Sequence, residues 1–282
     1  MPEQALHLHI QGQVQGVGFR PLVYRLALEM GLKGWVNNGV DGVHIEVSGA
    51  VDTVQHFAQR TVAEAPTLAR ITAVHQRVLP FQTFPDFRII ASESLSSIPQ
   101  LLLTPDFGLC TDCKRELHQA SNFRYQYPFI TCTNCGPRYS IITGLPYDRP
   151  LTTMQDFGMC PTCQAEYDDP LNRRYYSQTN SCPTCGIQLQ YLECKNDTSE
   201  NNEAALQAAI AALDAGKIVA IKGIGGFLLM ADATNASTIN LLRQRKQRPS
   251  KPFALLYPDL ECLASDVLVS PPAGVALQSP VA

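Results

Sequence analysis

Two groups of residues in this chain have the types and spacing that do chemistry. The first is Gly12-Gln-Val-Gln-Gly-Val-Gly-Phe-Arg20, close to the N-terminus. Gly16 and Gly18 let the backbone curl so that the N–H groups of Gln15, Gly16, Val17, Gly18 and Phe19 turn inward. Pro21 marks the first turn of a helix, whose N-terminus adds partial positive charge, and Arg20 supplies a fork of donors matched to phosphate oxygens. Together they make an anion cradle. No Cys, Ser or His lies within the loop, which argues against a covalent phospho-enzyme and leaves water as the nucleophile. From spacing alone, a glycine-rich hairpin loop with a surface arginine accounts for these residues equally well.

The second group is cysteine. Eight of the ten fall in four C-x-x-C pairs, Cys110/Cys113, Cys132/Cys135, Cys160/Cys163 and Cys182/Cys185, leaving Cys194 and Cys262 over. Each half reads C-x2-C-x18-C-x2-C, and the second half lies fifty residues after the first. More than cysteine recurs at that offset: Asp106-Phe107-Gly108 matches Asp156-Phe157-Gly158, Glu116 matches Glu166, and Arg124-Tyr125 matches Arg174-Tyr175. One supersecondary unit has been duplicated. Four thiolates at this spacing suit tetrahedral Zn²⁺ in two closed, structural sites. Redox pairs or disulfides would not explain a duplicated set of four pairs. Which pairs share an ion stays open, because cross-bracing of the two halves fits the same spacing. His118 is an available substitute ligand, although four cysteines already fill a site.

The elements that must position these groups follow from periodicity and composition. Exposed, polar connectors over 92–104 and 191–203 enclose the cysteine region at 105–190. In segment 1–91, Leu6, Leu8 and Ile10 alternate with His7, His9 and Gln11 as in a half-buried strand. A helix to about Met30 follows, then strands Gly34–Asn38 and Val43–Val47 around the turn 38–42. Val54, Phe57, Ala58 and Val62 share one face of a second helix, and Arg70–Leu79 and Phe84–Ala91 supply two more strands. The order β-α-β-β-α-β is a ferredoxin-like, split βαβ arrangement, and the fold class is α+β. From Asn202 a helix carries Leu206, Ala209, Ile210 and Leu213 on one face and stops at Gly216, ahead of a buried strand, Ile218–Ile221. That strand runs into the glycine-rich Lys222–Phe227, a weak nucleotide signal. Arg243, Arg245, Lys246, Arg248 and Lys251 then crowd into nine residues without an acid, as a solvated helix end or as a phosphate clamp.

Composition excludes several classes. Twenty-two basic and 25 acidic residues give a net charge of −3, with no general pull toward nucleic acid or an anionic membrane. The cysteine region holds seven basic against eight acidic residues, and each tetrathiolate–Zn²⁺ centre adds roughly −2, so a nucleic-acid-binding ribbon is disfavoured. The N-terminus lacks a basic, apolar secretory signal, and no run reaches the ~18–20 apolar residues of a membrane span. A cytoplasmic protein with reduced, metal-bound cysteines is the expectation.

Three resemblances sharpen this reading. The cradle, followed by Gly34-Trp35-Val36-Asn37-Asn38 and Asp41-Gly42, resembles the acylphosphatase signature over residues 5–91. It implies that Arg20 binds the phosphoryl group and Asn38 orients the attacking water, in a hydrolysis of acyl phosphates that needs no metal. Lys222-Gly-Ile-Gly-Gly-Phe-Leu-Leu, Asp232-Ala-Thr, Lys246-x-Arg248-Pro and Lys251-Pro resemble the YrdC-like α/β domain, implying that Lys222, Lys246, Arg248 and Lys251 contribute to a nucleotide site. The later Ser-x-Asn half of that motif has no counterpart before Ala282, so residues 204–282 read as a partial domain with an exposed apolar face. The order of acylphosphatase, duplicated zinc-ribbon-like module and YrdC-like domain is similar to the HypF family of carbamoyltransferases in [NiFe]-hydrogenase maturation. Tyr127–Arg138 and Leu145–Pro150 carry that likeness. It implies hydrolysis of carbamoyl phosphate, adenylation of carbamate with ATP, and transfer to a cysteine of a HypE-type partner by a domain beyond this chain. Only the first step would be complete here, and loss of zinc would leave it largely intact. The alternatives are a non-catalytic carbamoyl-phosphate-binding or docking module and a zinc-ribbon nucleic-acid binder. One departure is visible: relatives carry Arg-Arg-(Phe/Tyr)-His where this chain has Arg173-Arg-Tyr-Tyr176.

Overall fold

The computed structural model describes residues 2–92, 102–193, 196–223 and 226–279, and the chain divides into two units, residues 1–186 and 187–280. Most of the 92–104 connector, Cys194, and Ile224-Gly225 of the glycine-rich stretch lie outside the described residues.

The first unit opens with β1 (Glu3–Gln13), where alternation places Leu6, Leu8 and Ile10 in the core and leaves His7, His9 and Gln11 half-buried on the other face. Helix α1 (Phe19–Glu29) starts two residues before Pro21 and buries Phe19, Val23, Leu26 and Ala27. Strands β2 (Lys33–Gly39) and β3 (Gly42–Ala50) form a tight hairpin, followed by α2 (Val51–Ala63), β4 (Arg70–Leu79) and β5 (Phe87–Ile89). The sheet order is β4-β1-β3-β2-β5, antiparallel throughout except that β5 lies parallel along β2. This is the expected split βαβ sheet with an added edge. Two local expectations need correction. The last strand spans only Phe87–Ile89 rather than 84–91. On α2, Thr61 is buried while Val62 is 39% exposed, because the i, i+3, i+4, i+7 stripe from Val54 ends on Thr61.

The rest of this unit is the duplicated module. Helices α3 (Thr111–His118) and α4 (Pro161–Asp168) each begin on the residue after the first cysteine of their half, so Cys110 and Cys160 stand at matching N-caps. The halves clasp each other through the repeated residues themselves. Arg124, fully buried, bonds Glu166 at 2.9 and 2.5 Å, Asn180 Oδ1 at 2.9 Å and the Ser181 carbonyl at 2.8 Å. Its counterpart Arg174 bonds Glu116 at 2.5 Å and the Thr131 carbonyl at 3.0 Å. Each half therefore donates its arginine to the other half's glutamate, which pairs a desolvated guanidinium with a carboxylate in both directions. Burial alone would raise the Glu116 carboxyl, but the hydrogen bonds from Arg174 and Arg173 outweigh it and hold it below the usual carboxylate range.

The second unit contains β6 (Gln190–Glu193), β7 (Asn196–Asn201), α5 (Asn202–Asp214), β8 (Val219–Gly223), β9 (Gly226–Met230), α6 (Ala236–Arg245), α7 (Leu260–Asp266) and α8 (Pro271–Leu277). Residues 196–201, read as part of an irregular connector, pair antiparallel with β6; their polar sequence has no alternation to betray a strand. On α5 the buried residues are Ala205 and Ala212, while Ile210 is 42% exposed. The strand expected to be buried is also exposed. Strands β8 and β9 pair only with each other, leaving Ile221, Phe227, Leu228 and Leu229 open among the described residues. No described helix is long and apolar enough to cross a membrane.

Candidate active site and metal centres

The loop between β1 and α1 forms as its glycines require: Gly16 and Gly18 have φ of +70° and +83°, a region open to glycine, and Gly18 is the N-cap of α1. Arg20, in the first turn, is 7% exposed. On β2, Asn37 and Asn38 point to opposite faces, and Asn38 lies on Arg20's side. With its amide oxygen facing the guanidinium, the orientation that satisfies both groups, Asn38 accepts from Arg20 Nη2 at 3.1 Å and Nε at 3.2 Å. Gln15 fastens the loop to the β2–β3 hairpin by donating from Nε2 to the carbonyls of Gly39 at 2.7 Å and Gly42 at 3.0 Å. Loop, arginine and asparagine thus form one rigid constellation.

Residues more than a hundred positions downstream complete it. Arg20 Nη2 donates to Asp148 Oδ1 at 2.7 Å and to the Tyr147 carbonyl at 3.3 Å. The Tyr147 N–H donates to Gln15 Oε1 at 3.0 Å. Arg138, 2% exposed, donates from Nε to the Gly16 carbonyl at 2.5 Å and from its other nitrogens to the carbonyls of Cys132, Thr133, Cys135 and Pro137. One guanidinium therefore ties the anion loop to a cysteine knuckle. Tyr147, Tyr176, Ser177 and Gln178 line the same small cleft as Arg20 and Asn38. Burial pushes the Tyr147 phenol above its ordinary range, and its hydroxyl has no hydrogen-bond partner among the described residues. Tyr176, the departure from the family pattern, lies with its ring centre 5.5 Å from the Arg20 guanidinium and stacks on Tyr167 at 5.0 Å. It belongs to the cleft and to neither sulfur cluster. Sequence reasoning missed these partners because none sits near the loop in sequence. The tracts Tyr127–Arg138 and Leu145–Pro150 and the departure at Tyr176 were the signals that pointed to them.

The eight paired cysteines converge as two sets, Cys110/Cys113/Cys132/Cys135 and Cys160/Cys163/Cys182/Cys185, with sulfurs in each set within 4.8 Å of one another. This settles the pairing: each half closes on itself. All nine described cysteines are free thiols, and Cys262 stands exposed on α7. Sulfurs ~2.3 Å from a tetrahedral ion are about 3.8 Å apart. The observed Sγ···Sγ distances are 3.7 Å for Cys110–Cys132, 3.8 Å for Cys132–Cys135, and 3.7 Å for both Cys160–Cys182 and Cys182–Cys185. The donor sets fit a tetrahedral thiophilic ion. Arg124 and Arg173 donate across the halves to Cys163 Sγ at 3.4 Å and Cys113 Sγ at 3.1 Å, offsetting thiolate charge from the second layer.

In the second unit the basic cluster gathers at the carbonyl end of α6. Arg248 donates to the carbonyls of Lys251 and Pro252 and lies over the Phe253 ring at 5.3 Å. Lys222, on β8, and Lys246 and Lys251 are exposed.

Profiles of three families match the chain: acylphosphatase over residues 6–89, the HypF finger over 109–142 and again over 159–192, and the telomere recombination family of Sua5, YciO and YrdC over 211–275. The fold and loop of the first segment define an acylphosphatase-type domain, and it is 40% identical over 88 residues to the acylphosphatase of Bacillus pumilus, covering 97% of that protein and 30% of this chain. Along nearly its whole length the chain is similar to part of the HypF carbamoyltransferases. It is 48% identical over 253 residues to carbamoyltransferase HypF of Synechocystis sp., covering 90% of this chain and 33% of that one. With HypF of Rhodobacter capsulatus it shares 46% over 280 residues, 99% of this chain and 36% of the relative. A crystal structure of full-length HypF in the phosphate- and nucleotide-bound form superposes with a TM-score of 0.91 at 40% identity, over 99% of this chain and 36% of that one. The chain spans about a third of the length of these relatives.

Proposed function

We propose that this chain is the carbamoyl-phosphate-hydrolysing portion of a carbamoyltransferase that serves [NiFe]-hydrogenase maturation in the cytoplasm. The observation that carries the reading is the meeting of Arg20 and Asn38 over the glycine loop. The inward N–H groups of residues 15–19 and the Arg20 fork receive the phosphoryl oxygens and stabilise the charge that grows on them. Asn38, held by Arg20 on one edge of its amide, orients a water for attack at phosphorus. The P–O bond to the carbamoyl group breaks, giving carbamate and inorganic phosphate. Zn²⁺ is the ion assigned to both cysteine sets, in a structural role, since four sulfurs leave no position for water.

Carbamate decomposes in water, so a neighbouring nucleotide site that adenylates it with ATP gives the hydrolysis a purpose. Lys222, Lys246, Arg248 and Lys251 are the residues of this chain assigned to that site. The final acceptor is a cysteine of a HypE-type partner. A nucleic-acid-binding role for the module is disfavoured by its arginines: 115, 124, 138, 149, 173 and 174 all engage protein carboxylates or carbonyls, leaving little free positive surface. A second reading, a carbamoyl-phosphate-binding module without turnover, draws support from the Asp148 carboxylate that already occupies Arg20. Release of inorganic phosphate from carbamoyl phosphate by the zinc-loaded chain separates the two: multiple turnovers support the hydrolase, and stoichiometric binding without turnover supports the sensor.

A further inference from the structure

Four of the six histidines lie on one face of the five-stranded sheet, the face turned away from α1 and α2. Register sets the row: His75 on β4 stands opposite His9 on β1, His9 opposite His44 on β3, and His44 opposite Asn37 on β2. His7 is one pleat along. Asp41, in the β2–β3 turn, reaches back over this row, its Oδ1 2.9 Å from His44 Nε2 and its Oδ2 3.3 Å from His9 Nε2.

We propose that His9, Asp41 and His44 form a site for a divalent transition-metal ion of the Zn²⁺ or Ni²⁺ class, separate from the cysteine clusters. The three ligand atoms lie within 4.8 Å of one another, and ligands about 2.0–2.2 Å from a tetrahedral ion stand roughly 3.3 Å apart, close to the two histidine–carboxylate distances. Two imidazoles and one carboxylate suit zinc, nickel or copper better than magnesium or calcium. The His9 and His44 rings lie parallel, 4.2 Å apart at 9°, and both present Nε2 to the carboxylate. Behind His44, its Nδ1 is 3.4 Å from His7 Nε2, the outer hydrogen bond that fixes the tautomer of a ligating histidine. Asn37, 1% exposed beside His44 in the row, has an amide oxygen without a partner. All three proposed ligands are partly exposed, which gives an ion a way in. The site also touches the chemistry: Asp41 shares the hairpin of Asn38, and Gln15 of the anion loop grips the carbonyls on either side of the turn.

The test is titration of Co²⁺ into the full chain with both cysteine sites filled by zinc. One further equivalent should bind at micromolar concentration, with the intensified visible d–d bands of tetrahedral Co²⁺ and no thiolate-to-cobalt charge transfer. His9→Ala and His44→Ala should each weaken it at least tenfold, and His75→Ala, on the same face outside the triad, should leave it unchanged; circular dichroism checks that each variant is folded. Binding only at millimolar concentration, retention in the His44→Ala protein, or a thiolate charge-transfer band would overturn the proposal.

Discussion

Replacing Asp148 with asparagine removes one negative charge from beside Arg20 while keeping the shape of the side chain and an acceptor for Nη2. In the wild-type protein that carboxylate is 2.7 Å from the guanidinium, with the two side chains 8% and 22% exposed. An incoming phosphoryl group must displace it from Nη2 and then sit beside a second anion. Unit charges 4 Å apart at an effective dielectric of about 20 interact by ~4 kcal/mol. Partial exposure and the cost of desolvating the pair reduce the net competition to roughly 1.5–3 kcal/mol. At about 1.4 kcal/mol per tenfold, Asp148→Asn should tighten inorganic phosphate by about 10- to 100-fold. The KM for acetyl phosphate should fall in the same direction. Titration calorimetry with phosphate at fixed ionic strength measures the first quantity and steady-state kinetics the second. Because Ser92 Oγ also donates to this carboxylate, Ser92→Ala is a useful companion and should shift affinity far less. Phosphate affinity that is unchanged or weaker in Asp148→Asn would refute the competition and make the carboxylate part of the binding site.

Other perturbations follow from the same contacts. Arg124→Ala strips a fully buried guanidinium from Glu166, Asn180 and Ser181, and should cost about 3–5 kcal/mol in urea unfolding while loosening metal in the second half; Arg174→Ala should do the same in the first. Removing metal from the cysteine sets should alter the cleft, contrary to the expectation from sequence, because Arg138 joins the Cys132 and Cys135 carbonyls to Gly16. A several-fold rise in KM on chelation, reproduced by Arg138→Ala with metal retained, is the outcome to look for. Acid should destabilise the first unit in two stages. His7 and His9 have folded-state pKa values below 6.5, so the unfolded chain takes up their protons first, and that stability is full above 6.5 and lost as pH falls through the folded values. Asp41, also lowered, acts the same way at still lower pH, below 3.8. Chemical denaturation between pH 7 and 5 should therefore show falling stability, with a shallower slope in His9→Gln.

The parts legible in the sequence were those whose information is local. The β1 alternation, the glycine loop, the helix behind it and the four cysteine pairs each carry their signal within about twenty residues, and the structure assembles them as read. Asn38 is separated from Arg20 by eighteen residues, and the resemblance to the acylphosphatase signature, rather than any local periodicity, picked it out. The roles of Asp148, Tyr147, Arg138 and Tyr176 were not legible, since they depend on the module folding back on the cradle from more than a hundred residues away. A carboxylate gains meaning there only from the guanidinium it meets. The same holds for His9, Asp41 and His44: alternation marks the histidines as the outer face of a strand, but only the register of three strands brings them together. In the second unit, α5 and β8 could be located, whereas their burial could not, because exposure depends on which neighbours pair with the strand.

The central claim is that Arg20 and Asn38 make a working hydrolase site, and the direct measurement is phosphate release from carbamoyl phosphate by the folded, zinc-loaded chain. The account predicts repeated turnover, loss of at least a hundredfold in Arg20→Ala and in Asn38→Ala, and unchanged circular dichroism in both. A folded wild-type chain that binds carbamoyl phosphate without releasing phosphate, or an Arg20→Ala protein that hydrolyses it at the wild-type rate, would contradict it.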